Sequence, residues 1–214
     1  MNTLLPIRRN LVLPGLLLTL GLGSLPWPVW DHELDDITHM VINEILYWGL
    51  VVATLLYVVR VERQPLATLA LRRPGLRELP IAVLAAIVVV AGLAALSNFV
   101  FPLLHLETSP TIEQVKAAPS WWLVLSSIRA GASEEILFRG YPIPRLQTWT
   151  GSRAISLLLP LAMFSLAHVG PWNWAHALFA VFGGAVFTAL YVWRQNLWTN
   201  MLTHSLVDLV AVLA

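Results

Sequence analysis

Seven apolar stretches divide this chain, each close to the length a helix needs to cross a lipid bilayer: residues 11–30, 39–59, 79–104, 119–140, 153–169, 174–193 and 197–213. A bilayer core takes roughly 20 apolar residues per helical span, because every backbone N–H and C=O must be satisfied within the segment. The pattern predicts an all-α fold, a polytopic membrane helix bundle with about seven transmembrane helices. Composition argues the same way. Only 12% of the 214 residues are charged and 57% are hydrophobic, against roughly 25% charged in a soluble domain. So few solvated side chains cannot cover a globule in water. Ten tryptophans fit a protein with two lipid–water interfaces, where Trp collects. A net charge of +1 gives no electrostatic footprint for nucleic acid. The chain has no cysteine, which excludes a disulfide framework, a thiol nucleophile and a Cys-ligated zinc site.

Loop charge sets an expected orientation. The segment "RVERQPLATLALRRPGLRE" carries Arg60, Arg63, Arg72, Arg73 and Arg77, and the positive-inside rule puts it in the cytoplasm. Arg8 and Arg9 before the first stretch, Arg145 and Arg153 between the fourth and fifth, and Arg194 before the seventh keep the same register. The acidic "DHELDD" then lies outside. The expected localisation is a bacterial inner (cytoplasmic) membrane, with a cytoplasmic N-terminus. The first stretch resembles a signal peptide but lacks an A-x-A-like cleavage site, and reads as a retained helix. Residues 1–118 read as N-terminal transmembrane helices with an Arg-rich loop, and 119–214 as the catalytic helix core of the same single membrane domain. The loop near 66–71 reads as either a short interfacial helix or an irregular segment.

Ionisable residues inside apolar spans are costly and mark candidate sites. Three groups qualify: Glu134, Glu135 and Arg139; His168; and His204 with Asp208. Glu135 and Arg139 are i,i+4 and share a helix face. Glu134 points roughly 100° away from Glu135 and keeps no local partner, so it is the carboxylate free for chemistry. The alternative is a fixed polar knot. If the fourth and fifth spans form a hairpin closed at Gly151, His168 lies at the height of Glu134, and Phe164, four residues earlier, packs on its ring. His204 and Asp208 are again i,i+4, so Asp208 is expected to orient the imidazole or hold it as a cation. The site is expected in the cytoplasmic half or midplane, reached from the cytoplasmic side. His32, His39, His105 and His176 read as interfacial, and "VFGGAVF" as a small-residue packing face. Zinc-protease, G-x-S-x-G and Walker signatures are absent from the sequence.

E-E-x-x-x-R (Glu134, Glu135, Arg139), F-x-x-x-H (Phe164, His168) and H-x-x-x-D (His204, Asp208), in this order on separate helices, resemble the CAAX prenyl protease and bacteriocin-processing family, the Rce1-like or Abi-type intramembrane endopeptidases. The resemblance covers roughly 119–213. It implies a glutamic-type intramembrane protease in which Glu134 and His168 activate water, His204 and residue 208 stabilise the oxyanion, and Glu135 and Arg139 support the site. The family often has Asn where this chain has Asp208. An ionised Asp offers no N–H, so Asp208 fits an orienting role better than a donor's. A metal-free mechanism is favoured, with zinc the alternative, since no ligand pair has a zinc spacing. The partners implied are the lipid bilayer and a membrane-associated protein or peptide. A bacterial C-terminal sorting signal or leader peptide is favoured over a prenylated CAAX terminus. The competing reading is a non-proteolytic scaffold, immunity protein or small transporter with the same fold.

Overall fold

The computed structural model describes residues 7–25, 36–73 and 75–213. The described residues form helices and connecting turns, with no strand among them. In chain order the helices are α1 (Arg9–Gly21), α2 (Asp36–Leu56, prolonged by Tyr57–Val61), α3 (Glu78–Leu103), α4 (Thr111–Lys116) and α5 (Ser120–Glu135, prolonged by Ile136–Gly140). They continue with α6 (Pro142–Thr150), α7 (Arg153–Ala167), α8 (Trp174–Arg194) and α9 (Leu197–Leu213).

The protein is an integral membrane helix bundle, but the expected count of spans needs correcting. Among the described residues, three helices are long and apolar enough to cross a membrane: Met40–Val61, Glu78–Leu103 and Trp174–Arg194. Arg9–Gly21, Arg153–Ala167 and Leu197–Leu213 are apolar but shorter. The fourth expected span, α5, carries Arg129, Glu134, Glu135 and Arg139, too many charges for an apolar span. The end of the first expected span, 26–30, and His32 lie outside the described residues, as does the side chain of His39.

The bundle has two well-defined ends. At one, the Tyr57 hydroxyl donates to the Leu11 carbonyl at 2.7 Å. Arg194 pairs with Glu78 at 2.7 Å, and the Leu197 N–H donates to the Ala70 carbonyl at 2.9 Å. Arg60, Arg63, Arg72, Arg73 and Arg77 are exposed there. At the opposite end, the Ser109 hydroxyl donates to the Trp172 carbonyl at 2.8 Å, and Thr111 to the Pro171 carbonyl at 3.3 Å.

One local expectation changes and one open alternative is resolved. The hairpin at Gly151 joins α6 to α7, rather than the fourth span directly to the fifth. Pro142 is pre-organised for a first helical turn and starts a new helix after α5. Gly151, in the left-handed region at φ 71°, ends that helix, a conformation suited to Gly. The segment near 66–71 is a single tight turn, Leu66–Leu69, rather than a surface helix: Leu69 is fully buried and the chain docks on α9.

Candidate active site

Close approach of α5 to α9 builds the centre. A Cβ at Gly131 would lie 2.6 Å from the Met201 carbonyl oxygen and 2.8 Å from the Ser205 nitrogen. Only glycine lets the two backbones come this near. One turn further along α5, Glu134 and Glu135 face His204 of α9.

Glu135 is fully buried and fully engaged. Its Oε1 accepts from Arg139 Nη1 at 3.0 Å and from His204 Nδ1 at 2.9 Å, and its Oε2 accepts from Asn200 at 3.1 Å. The expected Glu135–Arg139 pair is present although the turn that carries Arg139 is widened. In that turn the Tyr141 N–H donates to the carbonyl of Ile136, five residues back, at 3.0 Å, a bulge common at functional sites. Arg139 also donates to the Gly184 carbonyl at 3.3 Å and lies 4.2 Å from the centre of the Phe164 ring. A Cβ at Gly184 would crowd Arg139 Nη2 at 3.1 Å, so the small-residue face of α8 has the packing role expected of it.

Glu134 is placed differently. Its one polar contact among the described residues is His204 Nε2, at 3.7 Å, beyond hydrogen-bond range, and its side chain is 15% exposed. Asp208, expected from its spacing to orient His204 or hold it as a cation, also stands 3.7 Å from Nε2, within ion-pair range, and is 32% exposed. The hydrogen bond that fixes the imidazole comes instead from Glu135, on a different helix. Phe187 stacks on the His204 ring with centroids 4.5 Å apart.

His168 ends α7, as expected, and Phe164 packs on its ring at 4.6 Å. His168 Nδ1 lies 2.7 Å from the Phe164 carbonyl. A carbonyl only accepts, so the proton sits on Nδ1 and the lone pair of the neutral ring is on Nε2.

Glu134, His168, His204 and Asp208 line one cavity of about 230 Å³, roomy enough for several waters. Sequence reasoning missed much of its wall. Arg129 pairs with Glu44 at 3.2 Å and lies 4.6 Å over the Tyr47 ring. Both charges sit inside expected spans, so the cost of burying them was the available signal. Their partnership runs between helices 85 residues apart, which a search along each helix alone does not find. His176, expected at the interface, lines the cavity instead, stacked between His168 at 5.9 Å and Trp172 at 4.6 Å. His105 is exposed at the opposite end from the arginines, as expected.

The donors do not fit zinc. Among the described residues no group of three or more His, Asp or Glu side chains is arranged to hold a metal ion.

Residues 116–210 match the family model described as type II CAAX prenyl endopeptidase Rce1-like, so this part of the chain is similar to that family. The matched segment contains Glu134, Glu135, Arg139, His168, His204 and Asp208 and leaves out α1, α2 and α3. No curated protein and no solved structure matches the chain significantly.

Proposed function

With the Rce1-like match over residues 116–210 as the premise, we propose that this chain is a glutamic-type intramembrane endopeptidase that hydrolyses a peptide bond of a membrane-associated protein or peptide. The observation that carries the reading is Glu134. It is a carboxylate at a polar cavity that no arginine neutralises, set between His204 and the cavity wall that holds His168.

Glu134 takes a proton from water, with His168 Nε2 accepting from the same water to orient it. The hydroxide adds to the scissile carbonyl. The oxyanion forms near His204, whose Nδ1–H is held by Glu135; as an imidazolium, His204 donates from Nε2, and Asp208 supports that charge. The C–N bond breaks and Glu134 passes its proton to the leaving amine. General-base catalysis of this kind contributes roughly 10²–10⁴-fold, and a positioned oxyanion donor roughly 10²–10³-fold. Glu135, Arg139 and Phe164 hold the reacting groups rather than react.

The six apolar helices α1, α2, α3, α7, α8 and α9, together with the charge-bearing α5, are read as crossing or entering the bilayer, the shorter ones reaching the site rather than the far interface. They form one membrane domain in a bacterial inner membrane, its N-terminus cytoplasmic. Residues 1–118 contribute Gly23, Asn43, Tyr47, Ile112 and Val115 to a cavity otherwise built by 119–214. The favoured substrate is a C-terminal sorting signal or leader peptide rather than a prenylated CAAX terminus. The test is comparative: membranes carrying wild type and Glu134→Gln are analysed for peptides cut only by the wild type. Identical peptide sets at equal expression reject the protease reading.

A further inference from the structure

We propose that the substrate enters from the end of the bundle opposite the arginine-rich loops, which makes the scissile segment one that a membrane-tethered polypeptide presents on the outer face. The cleavage in this statement rests on the protease reading; the route of entry rests on geometry alone. It reverses the cytoplasmic access expected from the sequence.

The arginine-rich end is shut. Beyond Glu134 in that direction stand Leu137, Arg139, Tyr141 and Arg145, each at most 1% exposed. Behind them the Tyr141 hydroxyl donates to Glu62 at 2.8 Å, and Arg145 donates to Glu62 at 2.6 Å and to the Thr68 carbonyl at 3.1 Å. No described residue of 60–77, 141–156 or 190–200 lines the cavity.

Among the described residues, the opposite direction is open. Along α9 the side chains go from 6% exposed at His204 to 32% at Asp208, and Ala211 is exposed. His204 to Ala211 spans about 10 Å of helix at 1.5 Å per residue. On α5 the cavity wall continues backwards from Glu134 through Arg129 and Ser126 to Trp122, and Trp172 joins it from the loop after α7. These residues lie at the end tied by Ser109 and Trp172. The exposed arginines of the 60–77 loop place the other end in the cytoplasm, so the mouth faces outward. A cavity of about 230 Å³ admits a short extended segment, not a folded domain.

Single cysteines in the full chain test this directly, since the chain has none of its own. Ser126 and Ala211 line the cavity; Thr108 and Gln195 are exposed at its two ends. Ser126 bonds only the Leu123 carbonyl of its own turn, so Cys replaces it without loss elsewhere. In spheroplasts, a membrane-impermeant thiol reagent should label Ser126→Cys, Ala211→Cys and Thr108→Cys, and should label Gln195→Cys only in inside-out vesicles. Labelling of the cavity positions in inside-out vesicles alone overturns the proposal. So does labelling of Gln195→Cys in spheroplasts, or failure of both cavity positions on either side. The readout needs no substrate, so it fails separately from the protease reading, which stands or falls on the Glu134→Gln comparison.

Discussion

At the arginine-rich end, Glu62 receives Tyr141 through one oxygen and Arg145 through the other, and Arg145 uses its remaining donors on the Thr68 carbonyl and hydroxyl. Around Glu134, on the same run of chain, the contacts are long: 3.7 Å from Glu134 to His204 and 3.7 Å from Asp208 to His204. The Asn43 amide oxygen and the Trp122 indole N–H on the cavity wall have no partner among the described residues. Both regions bury charge in an apolar bundle. One is satisfied by the protein itself, and buried pairs of that kind fix a structure. The other leaves polar capacity unspent, which a resting fold does not favour and a reacting substrate can use. Glu134 and Glu135 show the contrast within one dipeptide, since Glu135 has three partners and Glu134 has one distant contact.

The largest expected effect follows from this contrast. Glu134→Gln should lower the cleavage rate by about 10²–10⁴-fold, the range for a lost general base, with thermal stability near wild type. Unfolding at a much lower temperature would place Glu134 among the structural groups and remove the distinction. Arg145→Met should do the reverse. It strands Glu62 in a buried site, which costs about 3–5 kcal/mol of stability, while the fraction that stays folded cleaves at the wild-type rate. Thermal melts in detergent paired with rates per folded molecule separate the two outcomes. Glu135→Gln should fall between them and lose both properties, because it frees Arg139 and His204 together.

A smaller effect tests how the regions are joined. Gly131→Ala should push α5 from α9 by the overlap with Met201 and Ser205. Overpacking of this size costs about 1–3 kcal/mol, and it should depress cleavage more than stability, because it separates Glu134 from His204. Equal losses in a rate assay and a melt would mean that the crossing is merely structural.

Much of this was legible in the sequence. Helix, membrane and the ionisable residues of the candidate site follow from apolar length and from the cost of ions within it. The i,i+4 rule found the Glu135–Arg139 pair and the stacking of Phe164 on His168, because both are local. It placed Asp208 beside His204, at 3.7 Å, but did not reveal the hydrogen bond that fixes the imidazole, which comes from Glu135 on another helix. It passed over Arg129–Glu44 and Tyr141–Glu62–Arg145 for the same reason: their spacings, 85, 79 and 83 residues, carry no periodic signal. The direction in which the cavity opens was also hidden. It depends on which end the loop 62–72 plugs, and that loop docks through backbone bonds such as Leu197 to Ala70, which any sequence could make.

The smallest expected effect is at Asn43, and its sign is what matters. The side chain is buried on the cavity wall, and its amide oxygen has no partner among the described residues. A buried polar group left unpaired costs about 1–3 kcal/mol. Leucine is close in volume and has no such demand, so Asn43→Leu should leave the melting temperature unchanged or raise it slightly. If the unspent acceptor serves a substrate N–H, the same change should raise KM and leave kcat nearly intact, because binding is weakened while Glu134 and His204 are untouched. Two results would count against the contrast between the regions. A drop in stability like that of Arg145→Met would show that Asn43 already belongs to a satisfied network. A fall in kcat at constant KM would move Asn43 from holding the peptide to holding the groups that react with it.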